Sequence, residues 1–247
     1  MFSYNMEGKV VIITGSTRGI GKVTAQAYSE SGALPIIVGR DKDRAQAVAK
    51  ELGAPAWYAV DLRDVAAAKD MVDSVVEKFG KIDVLINNAG IPDATPIEGI
   101  DEELWDSVID NNLKTAFFCS KFAYEHMKAA GRGRIISIAS AAGRTGGIRA
   151  SAAYSASKSG IIGLTMTFAR RGAAFGVCAN AIAPGFVEGG MTRIYTPEQR
   201  SEFTSDILMG RFGERSEIAC AALFLGSDAA SFITGAVLDV NGGMFIG

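Results

Sequence analysis

Short apolar runs recur along the chain, each closed at its far end by glycine, asparagine, serine, aspartate or proline. Residues 9–14, 34–38, 56–60, 82–86, 134–139, 177–182 and 233–240 are runs of this kind, with little polar alternation. That pattern predicts parallel strands covered on both faces. Between them lie stretches with helical spacing at 22–31, 41–52, 61–79, 101–110, 111–130, 153–175 and 217–225. Strand and helix alternate throughout, which predicts a single α/β domain over residues 1–247, a doubly wound parallel sheet with helices on both faces.

Two stretches escape the pattern. Residues 189–209 have no clean period and read either as a mobile substrate lid or as a pair of surface helices. The chain closes on Asn241-Gly242-Gly243-Met244-Phe245-Ile246-Gly247, whose apolar side chains a monomer would tend to expose. Burial against another subunit accounts for them.

Composition narrows the function classes. A formal charge of −2 gives no basic footprint, so nucleic acid is not expected as a partner. Residues 1–8 hold no charged start followed by an apolar run, and no apolar stretch reaches the roughly 18 residues of a membrane span, so a soluble cytoplasmic protein is expected. Cys119, Cys178 and Cys220 are odd in number and far apart, each in an apolar segment, and read as reduced core thiols. His126 is the only histidine, on a predicted helix surface, so a Ser-His-Asp triad or a histidine-rich metal site has no raw material, and no metal is expected.

Gly15-Ser16-Thr17-Arg18-Gly19-Ile20-Gly21 follows the first strand and opens a helix. Strand, glycine turn and helix in that order cradle a phosphate, because glycines let the backbone approach and the helix N-terminus supplies N–H groups and a positive dipole end. Gly15, Thr17, Arg18, Gly19, Ile20 and Gly21 are therefore candidate cofactor contacts. Past the second strand, Gly39 occupies the place where an acid would hold a ribose 2′-hydroxyl, and Arg40 with Arg18 can converge on a 2′-phosphate. This favours NADP(H) and leaves NAD(H) possible; alternatively Arg40 is solvated and Asp41 caps the next helix. Asp61, with Leu62 beside it, either accepts from an adenine amino group or caps a helix. Asn88, Ala89 and Gly90 close the fourth strand and suit close packing on a nucleotide, or a plain turn.

Ser140 ends the fifth strand, and fourteen residues on Tyr154 and Lys158 stand four apart in a small-residue stretch. On a helix that spacing puts phenol and ammonium on one face, one turn apart. A cation ~4 Å from the phenolate is worth roughly 4 kcal/mol at an effective dielectric of 20, enough to lower a pKa near ~10 by about three units toward the range of a general acid. The plain alternative is a half-buried tyrosine beside a lysine that snorkels. A serine hydroxyl at a strand's carboxyl end lies where open sheets bind ligands and could polarise a substrate carbonyl. Asn112, inside a helical pattern, is a mild misfit.

Thr14-Gly15 through Gly19-Ile20-Gly21, Asn87-Asn88-Ala89-Gly90, Ser140, Tyr154-x-x-x-Lys158 and Pro184-Gly185 occur in the order and approximate spacing of one family. Over essentially its whole length the chain resembles the short-chain dehydrogenase/reductases. Within them it is similar to the bacterial 3-oxoacyl-[acyl-carrier-protein] reductases, through residues 185–188, 233–235 and 241–244. The resemblance implies a Rossmann-type fold and a catalytic set of Asn112, Ser140, Tyr154 and Lys158, with Pro184, Gly185 and Val187 joining Tyr154 and Lys158 among the cofactor contacts. It implies that Tyr154 donates a proton to a carbonyl oxygen, Ser140 holds that oxygen, Lys158 binds the ribose and lowers the phenol's pKa, and Asn112 orders a relay water. A homotetramer is implied too.

The chain departs from that pattern in places. Gly189 stands where the family usually has a threonine holding the nicotinamide carboxamide, with Thr192 nearby, and the segment between Ser140 and Tyr154 is one residue longer. Gly131 and Phe175 fall where arginines serve an acidic carrier protein. The leading reading is NADPH-dependent reduction of a ketone, a 3-oxoacyl thioester or similar carbonyl, to a secondary alcohol. An NAD-dependent secondary alcohol dehydrogenase acting on a small molecule is the alternative, and a non-catalytic NADP(H) sensor a remote one.

Overall fold

Seven strands, β1 (Val10–Thr14), β2 (Leu34–Gly39), β3 (Ala56–Ala59), β4 (Val84–Asn87), β5 (Gly133–Ile138), β6 (Val177–Pro184) and β7 (Val237–Val240), form one parallel sheet in the order β3-β2-β1-β4-β5-β6-β7. The computed structural model describes residues 4–147, 149–190, 192 and 195–247. The lid reading of 189–209 therefore falls partly outside the described residues. The helices are α1 (Gly19–Glu30), α2 (Lys42–Leu52), α3 (Val65–Phe79), α4 (Glu102–Ile109), α5 (Thr115–Ala130), α6 (Ala142–Thr145), α7 (Ala152–Gly172), α8 (Pro197–Ser205) and α9 (Arg215–Gly226).

The unbroken apolar runs are explained by two cores, one on each face of the sheet. Val10, Ile12, Ile36, Leu85 and Ile135 pack against α3, α5 and α7, whereas Val11, Ile13, Ile37, Ile86 and Ile136 pack against α1, α2 and α9. Alternate residues of one strand thus serve opposite cores, which is why the runs show little polar alternation.

Element ends differ from the sequence pattern where local chemistry overrides it. α1 begins at Gly19 rather than at residue 22, because the glycine turn itself winds into the first helical turn. Asp64, not Asp61, caps α3, accepting from the N–H groups of Ala66 and Ala67. Gly235, at φ 78°, interrupts the last apolar run, so β7 begins only at Val237. The expected lid segment contains α8, opened by Thr196 in a reciprocal cap with Gln199. Between α4 and α5 the chain widens into a π-helical turn, Asp110–Lys114, which carries Asn112. Such turns concentrate at functional sites.

Two composition readings are corrected by burial. Cys119 is a core thiol, but Cys178 is half-buried and Cys220 is exposed, on the solvent side of α9. Met244 and Phe245 are half-buried within the chain itself, Met244 against the Phe203, Ile207 and Phe212 cluster, leaving Ile246 as the exposed apolar residue of the tail.

Candidate active site

From β1 the chain winds one way to β2 and β3, then returns through α3 to β4 on the other side of β1. The crevice beyond the carboxyl ends of β1 and β4 is therefore the switch point at which open sheets take ligands. The candidate residues of the sequence pattern gather along this edge.

At its near end the glycine turn is locked by strand β4's tip. The Asn88 amide donates to the carbonyls of Thr14 at 3.0 Å and Gly15 at 3.2 Å, and the Thr14 hydroxyl accepts from the N–H groups of Asn88 and Ala89, both at 3.0 Å. A Cβ on Gly15 would fall 2.9 Å from the Ala89 Cα, and one on Gly21 would collide with the Asn88 amide. Asn88 and Ala89 thus shape the turn. Gly19, at φ 60°, has nothing within 4 Å of where its Cβ would be and leaves the backbone open to a ligand.

The start of α1 fits a dinucleotide phosphate on the chain's own chemistry. α2, α3, α4, α7 and α8 are capped by side chains of Asp41, Asp64, Asp101, Ser151 and Thr196, whereas Arg18 at the N-cap of α1 makes no side-chain cap and the first turn holds no acid. Its first N–H groups and dipole end are left for an anion. Arg18 and Arg40 are both exposed beside it. A Cβ on Gly39 would lie 2.5 Å from Cγ2 of Thr17, so position 39 is closely covered as well as uncharged. Asp61 is gripped by Arg63, at 3.0 Å through Nε and 2.5 Å through Nη2. That bond, with the field of Arg40 adding, holds its carboxyl below the usual range. Leu62 turns its side chain into the core, leaving only backbone for a ligand.

At the far end, Ser151 caps α7 by accepting from the N–H of Tyr154 at 3.0 Å, which fixes the helix start about two turns ahead of Lys158 and Tyr154 one turn ahead of it. Small residues then let neighbouring segments close in: a Cβ on Gly143 would fall 2.8 Å from the Lys158 backbone, and one on Gly160 would fall 2.8 Å from Leu113. Lys158 is buried, and its Nζ donates to the carbonyl of Ile138 at 2.8 Å and lies 5.6 Å from the centre of the Tyr154 ring. Burial draws its pKa down to about 8.

The phenol itself departs from the expectation. Burial holds Tyr154 above its ordinary pKa, and the hydrogen bond with Ser140 pulls only partly the other way. An ammonium that is itself desolvated and committed to a carbonyl does not offset that burial, so the chain alone does not acidify this tyrosine.

Asn112 is fully buried, and its side chain is a clamp. Oδ1 accepts from the Ile91 N–H at 2.7 Å, while Nδ2 donates to the Ile91 carbonyl at 3.0 Å and to the Ser157 hydroxyl at 3.1 Å. Gly90, where a Cβ would fall 2.9 Å from Asn112 Oδ1 and 3.8 Å from Lys158 Nζ, brings β4's tip against both.

Ser140, Tyr154, Pro184, Gly185, Val187 and Gly189 line one cavity of about 280 Å³. Thr145, Arg149 and Tyr195, in the same wall, come from residues 141–153 and from the lid segment; sequence reasoning missed Asp93, Phe186 and Met244 as wall residues. Pro92 was the local signal for the loop that carries Asp93. Thr192 lines the same cavity, where its hydroxyl accepts from the Gly189 N–H at 2.9 Å and faces the carbonyls of Val187 and Gly189.

The family model described as enoyl-(acyl carrier protein) reductase matches residues 15–245. The chain belongs to the short-chain dehydrogenase/reductase family. This family member is 38% identical over 243 residues to the 3-oxoacyl-[acyl-carrier-protein] reductase FabG of Escherichia coli (strain K12), covering 98% of this chain and 99% of the relative. It is equally 38% identical, over 245 residues, to the FabG of Thermotoga maritima, again covering 98% and 99%. A solved structure from Sinorhizobium meliloti 1021, provisionally described as a short-chain alcohol dehydrogenase, superposes with a TM-score of 0.91 at 36% identity, covering 98% of both chains. The short-chain dehydrogenase/reductase described here is an NAD(P)-dependent oxidoreductase. Among the described residues no helix is long and apolar enough to cross a membrane, and no group of His, Cys, Asp or Glu is placed to hold a metal ion.

Proposed function

We propose that this enzyme reduces a ketone to a secondary alcohol, with a 3-oxoacyl thioester as the substrate class, NADPH as the preferred reductant and Tyr154 as the proton donor. The observation that carries the reading is the shared wall of Ser140 and Tyr154 in one cavity, with Lys158 buried behind them. The Ser140 hydroxyl donates to the carbonyl oxygen and fixes it beside the phenol, which passes its proton to the same oxygen. A phenol held neutral by burial is in the protonation state that a proton donor needs. Bound NADPH supplies the hydride. Lys158 is one helical turn away, where a ribose would compete with Ile138 for its ammonium; Asn112 secures the wall through Ile91 and Ser157. Residues 189–209 act as the lid over this cavity.

The NADPH preference rests on the uncharged Gly39 beneath Thr17 and on the exposed Arg18 and Arg40. The names of the FabG relatives support the acyl-thioester class. A cytoplasmic homotetramer fits the exposed free thiol of Cys220 and the uncovered Phe117, Met166 and Ile246. The second reading, an NAD-linked alcohol dehydrogenase, draws on Arg40 lying in the field of Asp61, which partly occupies its charge.

Turnover of a 3-oxoacyl thioester and of simple alkyl and aryl ketones, each with NADPH and with NADH, separates the two. Tyr154→Phe should cost about 10²-fold or more in rate while NADPH still binds. A near-normal rate in that variant overturns the mechanism, and NADH-dependent turnover confined to small ketones overturns the substrate and cofactor assignment.

A further inference from the structure

One cation beside the cavity has no task in the chemistry above. Gly189, at φ 91°, lines the cavity, and a Cβ built on it would collide with Nη2 of Arg215 and fall 2.5 Å from Cζ and 3.1 Å from Nε. The Nη2 end of the Arg215 guanidinium therefore occupies the volume that any side chain at 189 would fill. Arg215 opens α9, and its approach follows from the chain's local pairing: Val187 bridges Gly213, with the Glu188 N–H donating to the Gly213 carbonyl at 2.8 Å, so two residues further along each segment Gly189 and Arg215 meet.

The surroundings say which ligand such a cation would meet. Arg149, Arg200 and Arg211 in the same region each hold a carboxylate, from Glu202, Glu188 and Glu217, whereas the Arg215 guanidinium has no hydrogen-bond or ion-pair partner among the described residues. Ile20, in the first turn of α1, and Val187 pack on one cluster that includes Ile218 of α9. The start of α9 thus lies on the side of the crevice where the uncapped start of α1 meets the cavity of Tyr154. A dinucleotide spanning those two points carries its pyrophosphate between them. A planar, permanently charged fork is the side chain that best matches phosphate oxygens.

We propose that Arg215 is a cofactor-binding residue that donates to the pyrophosphate of the bound dinucleotide, and that Gly189 is glycine because the guanidinium needs its volume. This rests on the dinucleotide-dependent reading above. The interaction differs from the carboxamide contact that the family resemblance places on a side chain at 189, and it is indifferent to whether the adenosine ribose carries a 2′-phosphate.

Direct binding tests it without turnover. Dissociation constants of NADPH, NADH and ADP-ribose are measured by calorimetry for the wild type, Arg215→Ala, Arg215→Lys and Arg40→Ala, with thermal unfolding of each to show that the fold is intact. Arg215→Ala should weaken all three ligands by about tenfold, leaving the NADPH to NADH ratio unchanged, and Arg215→Lys should recover part of the loss. Arg40→Ala should instead change the ratio. Unaltered binding of all three ligands by a folded Arg215→Ala overturns the proposal. Weakened NADPH and NADH with unaltered ADP-ribose also overturns it, since the contact would then be to the nicotinamide. Failure of the wild type to bind any of them would overturn the dinucleotide reading itself, an outcome distinct from either.

Discussion

Lys158 donates to the carbonyl of Ile138 at 2.8 Å, one strand residue short of the turn that leads to Ser140. The ammonium is thereby tied to the end of β5 and kept from water, and its pKa falls to about 8. A lysine depressed in the folded chain binds fewer protons than the unfolded chain between pH 8 and the ordinary lysine value near ~10.4. Stability contributed by this group therefore rises with pH across that window, and the cost of burying the charge is fully present below it. Relative to Lys158→Met, the wild type should gain on the order of 1–2 kcal/mol between pH 8 and 9.5 in denaturant unfolding. A difference independent of pH would contradict it.

The paired amide bonds between Asn112 and Ile91 make a second prediction. Asn112→Ala removes three hydrogen bonds and leaves both the N–H and the carbonyl of Ile91 without that partner. The expected loss is about 2–4 kcal/mol of unfolding free energy, a fall in Tm of roughly 5–15 °C. Asn112→Asp should be less harmful where the carboxylate still accepts from Ile91. An unchanged Tm for Asn112→Ala would show that the clamp contributes nothing.

Which parts of this were legible follows from the range of the forces involved. The strands and both cores come from unbroken apolar runs such as Val10 to Thr14, whose burial pattern is written in consecutive residues. The Tyr154 and Lys158 placement is a one-turn relation and was equally readable. The acidified phenol expected from the spacing is not what the chain holds, because spacing gives distance but not burial, and burial keeps Tyr154 above its ordinary value despite the bond with Ser140. Of the two readings of Asp61 the cap falls to Asp64 instead, while Arg63, two residues away, pairs with the Asp61 carboxylate. The Arg215 and Gly189 contact lay beyond reach, since nothing local to either residue records that α9 starts beside the loop after β6.

The covered glycine at 39 predicts how cofactor preference can be moved. Gly39→Asp places a carboxylate where a ribose 2′-hydroxyl would be bound and a 2′-phosphate repelled, but its Cβ meets Cγ2 of Thr17 at 2.5 Å. Pairing it with Thr17→Ser removes that methyl. The double variant should bind NADPH at least about tenfold more weakly while NADH binding holds or improves, because like charges would face each other across the phosphate site. NADPH affinity equal to the wild type's, measured by calorimetry, would show that position 39 does not face the ribose.

The lid reading predicts the behaviour of Arg149, which reaches from the loop after α6 to α8. Its guanidinium pairs with Glu202 at 2.9 Å and Asp206 at 3.6 Å, and lies 4.3 Å from the centre of the Phe203 ring. Arg200 ties the other side of α8, to Glu188 and to the carbonyl of Thr192. Both ion pairs of Arg149 are partly exposed, so solvent screening leaves them, together with the ring contact, worth about 1 kcal/mol to the docked helix. Losing that amount multiplies the undocked fraction about fivefold. Arg149→Ala should therefore be cleaved several times faster between residues 195 and 209 by a dilute protease, and should raise the KM for the carbonyl substrate while NADPH affinity and global Tm stay near wild type. Glu202→Gln should show the same pattern more weakly. If Arg149→Ala changes neither the cleavage rate nor KM, α8 is a fixed wall of the cavity and does not open to admit substrate.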